Sequence, residues 1–227
     1  MVETAVPGSL AITLAGESLV LLPDRALWWP RMSLLAIADL HLGKGDHFRR
    51  AGIALPKGGT AHDLDRLDAL LAQTRVTRLL VLGDLLHAAV HDAHWRDAWM
   101  HWRAGRQALS VELVGGNHDR ALTARPSVAD TLGIHLHGHT LAFAPFLFVH
   151  DPAHGADTAD TAGYRLGGHL HPVVRLPGVP RLPAFLFGES AGVLPAFTAF
   201  AGGWRVDREP GTRLFACAPD VVVDVSG

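Results

Sequence analysis

Four short apolar runs in this chain end in the same way. Leu34 to Ala38 runs into Asp39-Leu40-His41, and Arg78 to Leu82 into Gly83-Asp84-Leu85-Leu86-His87. Leu109 to Val114 runs into Gly115-Gly116-Asn117-His118-Asp119, and residues 163–168 into Gly168-His169-Leu170-His171. Short continuous apolar runs bounded by glycine read as buried strands. Polar side chains at the ends of separate strands converge only if the strands lie side by side. The pattern therefore demands a sheet that presents these residues along one edge, the edge at which α/β proteins bind ligands.

The segments between these runs fit that demand. Residues 10–14 and 18–22 alternate around Gly16-Glu17 and predict a β-hairpin, followed by a strand over Ala26 to Pro30. Gly43 to Gly59 reads as a long loop carrying Lys44, Arg49, Arg50 and Lys57. Leu64, Leu67, Leu70 and Leu71 stand at helical spacing within 60–73, with Thr60 as a candidate N-cap. Trp95, Trp99 and Trp102 mark a second amphipathic helix over 94–108. Strand, helix, strand, helix, strand is a parallel βαβαβ unit. Beyond Asp119 the runs at 134–137, 139–144, 146–150, 163–168, 172–176, 182–187, 213–217 and 220–225 predict mostly β structure. Residues 153–162 and 202–212 read as mobile loops. The expected fold class is α/β, two packed sheets with helices outside. One domain is expected over residues 1–227, because no linker-like stretch divides them.

Composition narrows the chemistry. Cys217 is the only cysteine, which excludes an intrachain disulfide and a thiolate metal cage. A net charge of −2 neither requires nor forbids a polyanionic partner, since a local patch can carry binding. No signal-peptide pattern and no apolar span of membrane length is read, so a cytoplasmic protein is expected.

Carboxylate, imidazole and amide oxygen together suit Mn, Fe or Zn. Asp84 is the natural bridge between two cations if Asp39 and His41 bind one and Asn117 the other. Each short motif alone is common as a plain turn, and it is the ordered set of four that points to a two-metal site.

That ordered set resembles the calcineurin-like metallophosphoesterase superfamily. The resemblance implies a four-layer αββα sandwich of two mixed sheets flanked by helices. It implies two divalent cations, Mn foremost, with Fe, Zn or Mg as alternatives. Asp39, His41 and His171 are then ligands of the first metal and Asp84 the bridge. Asn117, His169 and one more histidine are ligands of the second. His150, after Phe146 to Val149, fits best; His135, His137 and His139 compete, and His154 is weaker. His47, His62, His91, His94 and His101 read as solvent-facing. His118 is the implied leaving-group acid, and Asp119 either orients it or holds the loop, so both are catalytic candidates. Lys44, Arg49, Arg50 and His87 are candidate substrate-binding residues. His87 stands where the phosphoprotein phosphatases carry a second Asp, which weakens a protein-phosphatase assignment.

Further segments narrow the resemblance. They include Ala26-Leu27-Trp28-Trp29-Pro30, Phe48-Arg49-Arg50-Ala51-Gly52-Ile53, His150-Asp151-Pro152 and Leu194-Pro195-Ala196-Phe197. They resemble the bacterial ligase-associated DNA-damage-response endonuclease branch. The implied activity is phosphodiester hydrolysis, with DNA as substrate, by water activated between the metals. Implied partners are an ATP-dependent DNA ligase, a helicase and an exonuclease-like protein, and a homodimer is possible. Two alternatives stay open: a small-molecule phosphodiesterase or phosphomonoesterase, and a non-catalytic scaffold.

Overall fold

The apolar runs become two mixed sheets. The computed structural model describes residues 6–54, 58–87, 93–153 and 163–227. Among these, one sheet holds seven strands in chain order. They are β1 (Leu10–Leu14), β2 (Glu17–Leu22), β3 (Ala26–Trp29), β4 (Leu34–Ala38), β5 (Arg78–Leu82), β6 (Ser110–Val114) and β7 (His135–Leu136). Strands β1 to β4 pair antiparallel, and β4 to β7 pair parallel. The parallel half puts the carboxyl ends of β4, β5 and β6 side by side.

The crossovers carry α1 (Lys44–Arg50), α2 (Gly59–Thr74), α3 (Ala93–Ala104), α4 (Arg120–Ala124) and α5 (Pro126–Thr131). Residues 43–59, expected as a loop, thus contain the helix α1. Residues 120–131, to which the sequence pattern assigns no element, contain α4 and α5. Helix α2 starts after Gly58, and Thr60 does not cap it; its Oγ1 instead accepts a hydrogen bond from the Gly43 N–H at 3.2 Å. Lys57, His91 and His154 lie outside the described residues, as does most of the loop expected at 153–162.

The second sheet holds nine described strands. They are β8 (Thr140–Phe143), β9 (Phe146–Val149), β10 (Tyr164–Gly167), β11 (Pro172–Val174), β12 (Leu182–Phe187), β13 (Ala191–Val193), β14 (Trp204–Arg205), β15 (Arg213–Cys217) and β16 (Val222–Asp224). Part of the loop expected at 202–212 is therefore a strand, β14 on β11.

Three apolar clusters hold the layers. Leu64, Leu67, Leu70, Trp95 and Trp99 pack under one face of the first sheet, against Leu35, Ile37, Val81 and Val111. The opposite faces of the two sheets meet through Trp29, Leu34, Leu80 and Val114 against Phe148, Leu166, Phe185 and Phe215. A smaller cluster, including Val174, Ala184 and Leu214, closes the outer side of the second sheet. Each fully buried Leu or Phe contributes about 1.5–3 kcal/mol relative to exposure. No described helix is long and apolar enough to cross a membrane.

One polar network ties the sheets together beside the site. Phe197 N–H donates to the Ala38 carbonyl at 2.7 Å, pinning the 194–198 segment to the end of β4. Arg66 Nη1 reaches the Phe197 carbonyl at 2.8 Å and Asp63 Oδ1 at 3.1 Å, with its guanidinium over the Phe197 ring. Asp63 Oδ2 accepts from the Thr198 hydroxyl at 2.8 Å. Burial pushes the Asp63 carboxyl up, and these donors oppose it.

Candidate metal centre

The ends of β4 and β5 run on together. His41 N–H donates to the Asp84 carbonyl at 2.9 Å, Leu42 N–H to Leu85 at 2.7 Å, and His87 N–H to Leu42 at 3.0 Å. Buried Leu40, Leu42, Leu85 and Leu86 alternate with the polar residues and hold both loops to the core. The side chains that face the cleft are set by unusual backbone. Asp39, His41, Asp84, His169 and His171 all have φ between +42° and +70°, a region that costs a non-glycine residue energy. Only four other described non-glycine residues do so, and the concentration of strain marks this edge as functional.

Two ligand clusters result. The ligand atoms of Asp39, His41 and His171 lie within 4.8 Å of one another, and so do those of Asp84, His150 and His169. The clusters abut. His150 Nδ1 is 3.8 Å from Asp39 Oδ1, and its Nε2 is 3.7 Å from Asp84 Oδ2. His169 N–H donates to Asp39 Oδ2 at 2.9 Å, while its Nδ1 is 3.0 Å from His150 Nε2. Two glycines permit this closeness. A Cβ on Gly83, at φ +73°, would lie 1.8 Å from His150 Nδ1, and one on Gly168 would lie 2.4 Å from Asp39 Oδ2.

The residues fit divalent cations. Asp39, His41, Asp84 and His150 are buried. Asp39 Oδ1, His150 Nδ1 and both ring nitrogens of His41 lack a hydrogen-bond partner among the described residues, and so does His87 Nδ1. Leaving such atoms unsatisfied costs about 1–3 kcal/mol each, and buried charges are normally paired or bound to metals. Burial, reinforced by the Lys44 charge, pushes the His41 imidazole down to about 2 and the His87 imidazole down to about 4. Neutral imidazoles keep a lone pair for a metal.

The remaining candidates separate. Asn117 is exposed and shares a groove with His150 and His169. His118 is exposed; its backbone N–H donates to Asp84 Oδ1 at 2.9 Å, and its ring stacks on His87 with centroids 4.9 Å apart. His87 therefore packs against His118, and His47 packs edge-on against His87. The sequence groups Asp119 with His118 as a catalytic candidate, but the structure buries it completely. Its carboxylate accepts the N–H groups of Gly116 at 2.9 Å, Leu86 at 3.0 Å and Leu85 at 3.3 Å. Asp119 is thus a clamp between the Asp84 and Asn117 loops.

Lys44, a candidate substrate-binding residue expected in a loop, is buried in α1; desolvation lowers its pKa, opposed by Asp39 and Asp84. Arg49 and Arg50 line a separate cavity of about 580 Å³ with Asp46, Thr60 and His94, and no candidate ligand borders it. His135 is exposed, and His137 Nε2 is 2.8 Å from Glu112 Oε2, beside Arg78. His139 borders the groove of Asn117. Sequence reasoning missed Arg120 and Arg165, which border the same groove, because neither belongs to a motif or a periodic pattern.

No family model and no curated protein matches the chain. Among solved structures, the crystal structure of the Pseudomonas putida nuclease MPE matches with a TM-score of 0.79 and 32% identity. That match covers 96% of this chain and 100% of the nuclease. The E. coli phosphoesterase YfcE gives a TM-score of 0.45 and 14% identity, over 85% of this chain and 98% of that one. A likeness of the first kind, spanning nearly all of both chains, places this protein in the calcineurin-like metallophosphoesterase family alongside the Pseudomonas nuclease.

Proposed function

We propose that this phosphoesterase is a two-cation phosphodiesterase that acts on DNA strands. The observation that carries the reading is the pair of abutting clusters, with unsatisfied buried ligand atoms in both. In this reading Asp39, His41 and His171 would hold one cation, His150, His169 and Asn117 would hold the other, and Asp84 would serve both. Mn is the first metal to test, since the donor set is oxygen and imidazole with no thiolate. When bound, two such cations neutralise the non-bridging phosphate oxygens and lower the pKa of a water.

The chain's own residues supply the rest. His118, at the open side of the Asp84 loop, holds the proton that the departing oxygen takes. His87 fixes the plane of that ring by stacking. Asp119 fixes the backbone that carries Asp84 and Asn117. Lys44 adds positive charge behind the carboxylates where the phosphate gathers negative charge.

DNA is proposed because the Pseudomonas relative is a nuclease. A role beside a DNA ligase in repair is the wider proposal. The test is one panel with Mn, Mg or Zn on bis-p-nitrophenyl phosphate, p-nitrophenyl phosphate, cyclic nucleotides, and single- and double-stranded DNA. Hydrolysis of the diester and of DNA is expected, with kcat reduced about 10²–10⁴-fold in His118→Ala. Hydrolysis of the monoester alone would sink the nuclease reading.

A further inference from the structure

A groove of about 620 Å³ leads away from the second cluster. Asn117 and His169 line it together with Arg120, His139 and Arg165. Leu147 and Val149 of β9 also line it. On β10, Tyr164 and Leu166 belong to the core between the sheets. Arg165 lies between them in sequence and so projects from the other face, beside its register partner Leu147. Arg120 directly follows the Asp119 clamp.

These two arginines differ from most others in the chain. Arg25, Arg31, Arg66, Arg78 and Arg103 are each tied to carboxylates or carbonyls. Neither the Arg120 nor the Arg165 guanidinium has a hydrogen bond or ion pair among the described residues. Among the described residues that line the groove Asp151 is the one acid, and it lies 3.8 Å from His169 Nε2. Two unengaged guanidiniums in one groove beside the metal-ligand cluster match a nucleotide chain, which offers phosphates to both.

We infer that this groove holds the strand that flanks the scissile phosphate, with Arg120 and Arg165 on successive flanking phosphates. The inference rests on the phosphodiesterase reading above. It moves substrate positioning from Arg49 and Arg50, which line another cavity, to this groove. It also explains how a chain with a net charge of −2 engages a polyanion, through a local pair of cations.

The test compares wild type with Arg120→Ala/Arg165→Ala and Arg120→Lys/Arg165→Lys, all Mn-loaded. Anisotropy of a labelled phosphorothioate oligothymidylate is read across salt, and kcat/KM is measured for the unmodified oligonucleotide and for bis-p-nitrophenyl phosphate. In the alanine pair, the slope of log K against log salt flattens by about 1.4, and the lysine pair keeps it. The oligonucleotide-to-diester ratio of kcat/KM falls about tenfold in the alanine pair. An unchanged slope and ratio overturn the inference, as does an equal fall on both substrates. Wild type that hydrolyses no diester with any metal defeats the phosphodiesterase reading instead, while the anisotropy slopes still decide the groove.

Discussion

Asp119→Asn separates a clamp from a catalyst. The carboxylate accepts from Gly116 and Leu85 through Oδ2 and from Leu86 through Oδ1. An asparagine keeps one acceptor oxygen. In its better orientation it still serves Gly116 and Leu85, and its NH2 then faces the Leu86 N–H. One buried donor loses its partner, at about 1–3 kcal/mol, and the other two lose charge assistance, for a total of roughly 2–4 kcal/mol. With a urea slope of about 2 kcal/mol/M, the midpoint falls by about 1–2 M. The unfolding is followed by circular dichroism in chelator, so that metal binding does not contribute. An unchanged midpoint together with a hundredfold loss of kcat would refute the clamp and return Asp119 to the chemistry.

Other perturbations test the frame around the centre. Arg66→Ala strands the buried Asp63 carboxylate and frees the Phe197 segment from helix α2, and is expected to cost about 3–5 kcal/mol by urea denaturation. A cost below 1 kcal/mol would show that the network does not hold the sheets. Gly83→Ala drives a methyl into His150 and is expected to lower bound Mn from two per chain to one by elemental analysis; two retained would contradict the close approach. Burial pushes the Cys217 thiol from its ordinary 9.0 up to about 12. Its stabilising contribution is therefore complete below about pH 9 and lost as pH rises towards 12. The unfolded thiol alone costs about 1.4 kcal/mol at pH 10. Cys217→Ala should remove that alkaline slope in stability, and an identical slope in both proteins would count against it.

The parts of this molecule that could be read from sequence are those fixed by continuous apolar runs. Leu34 to Ala38, Arg78 to Leu82, Leu182 to Phe187 and residues 213–217 are strands over just those bounds, because a strand buried on both faces is apolar throughout. Helix α1 was not legible. Its segment, Lys-Gly-Asp-His-Phe-Arg-Arg, has no apolar period and two neighbouring glycines, and packing against α2 decides its form. Strands β13 and β14 span three and two residues, too few to show alternation, and exist through their partners. At the centre, residue types and strand ends were visible, but roles were not. Asn117, His118 and Asp119 are adjacent in sequence, and only burial separates two cleft residues from a clamp. The expectation for Arg49 and Arg50 rested on proximity in sequence to Asp39 and His41. In the structure both line a cavity that none of the candidate ligands borders.

The most direct test of a two-cation phosphodiesterase centre counts metal and activity on the same samples. Chelator-stripped protein is dialysed against increasing Mn, bound Mn per chain is measured by elemental analysis, and bis-p-nitrophenyl phosphate hydrolysis is assayed on each sample. The geometry of Asp39, His41, His171 and Asp84, His150, His169 predicts saturation at two Mn per chain. Hydrolysis should rise with the second ion, and Asp84→Asn should lower both readings. Saturation at one Mn, or hydrolysis that persists in chelator, would contradict the account.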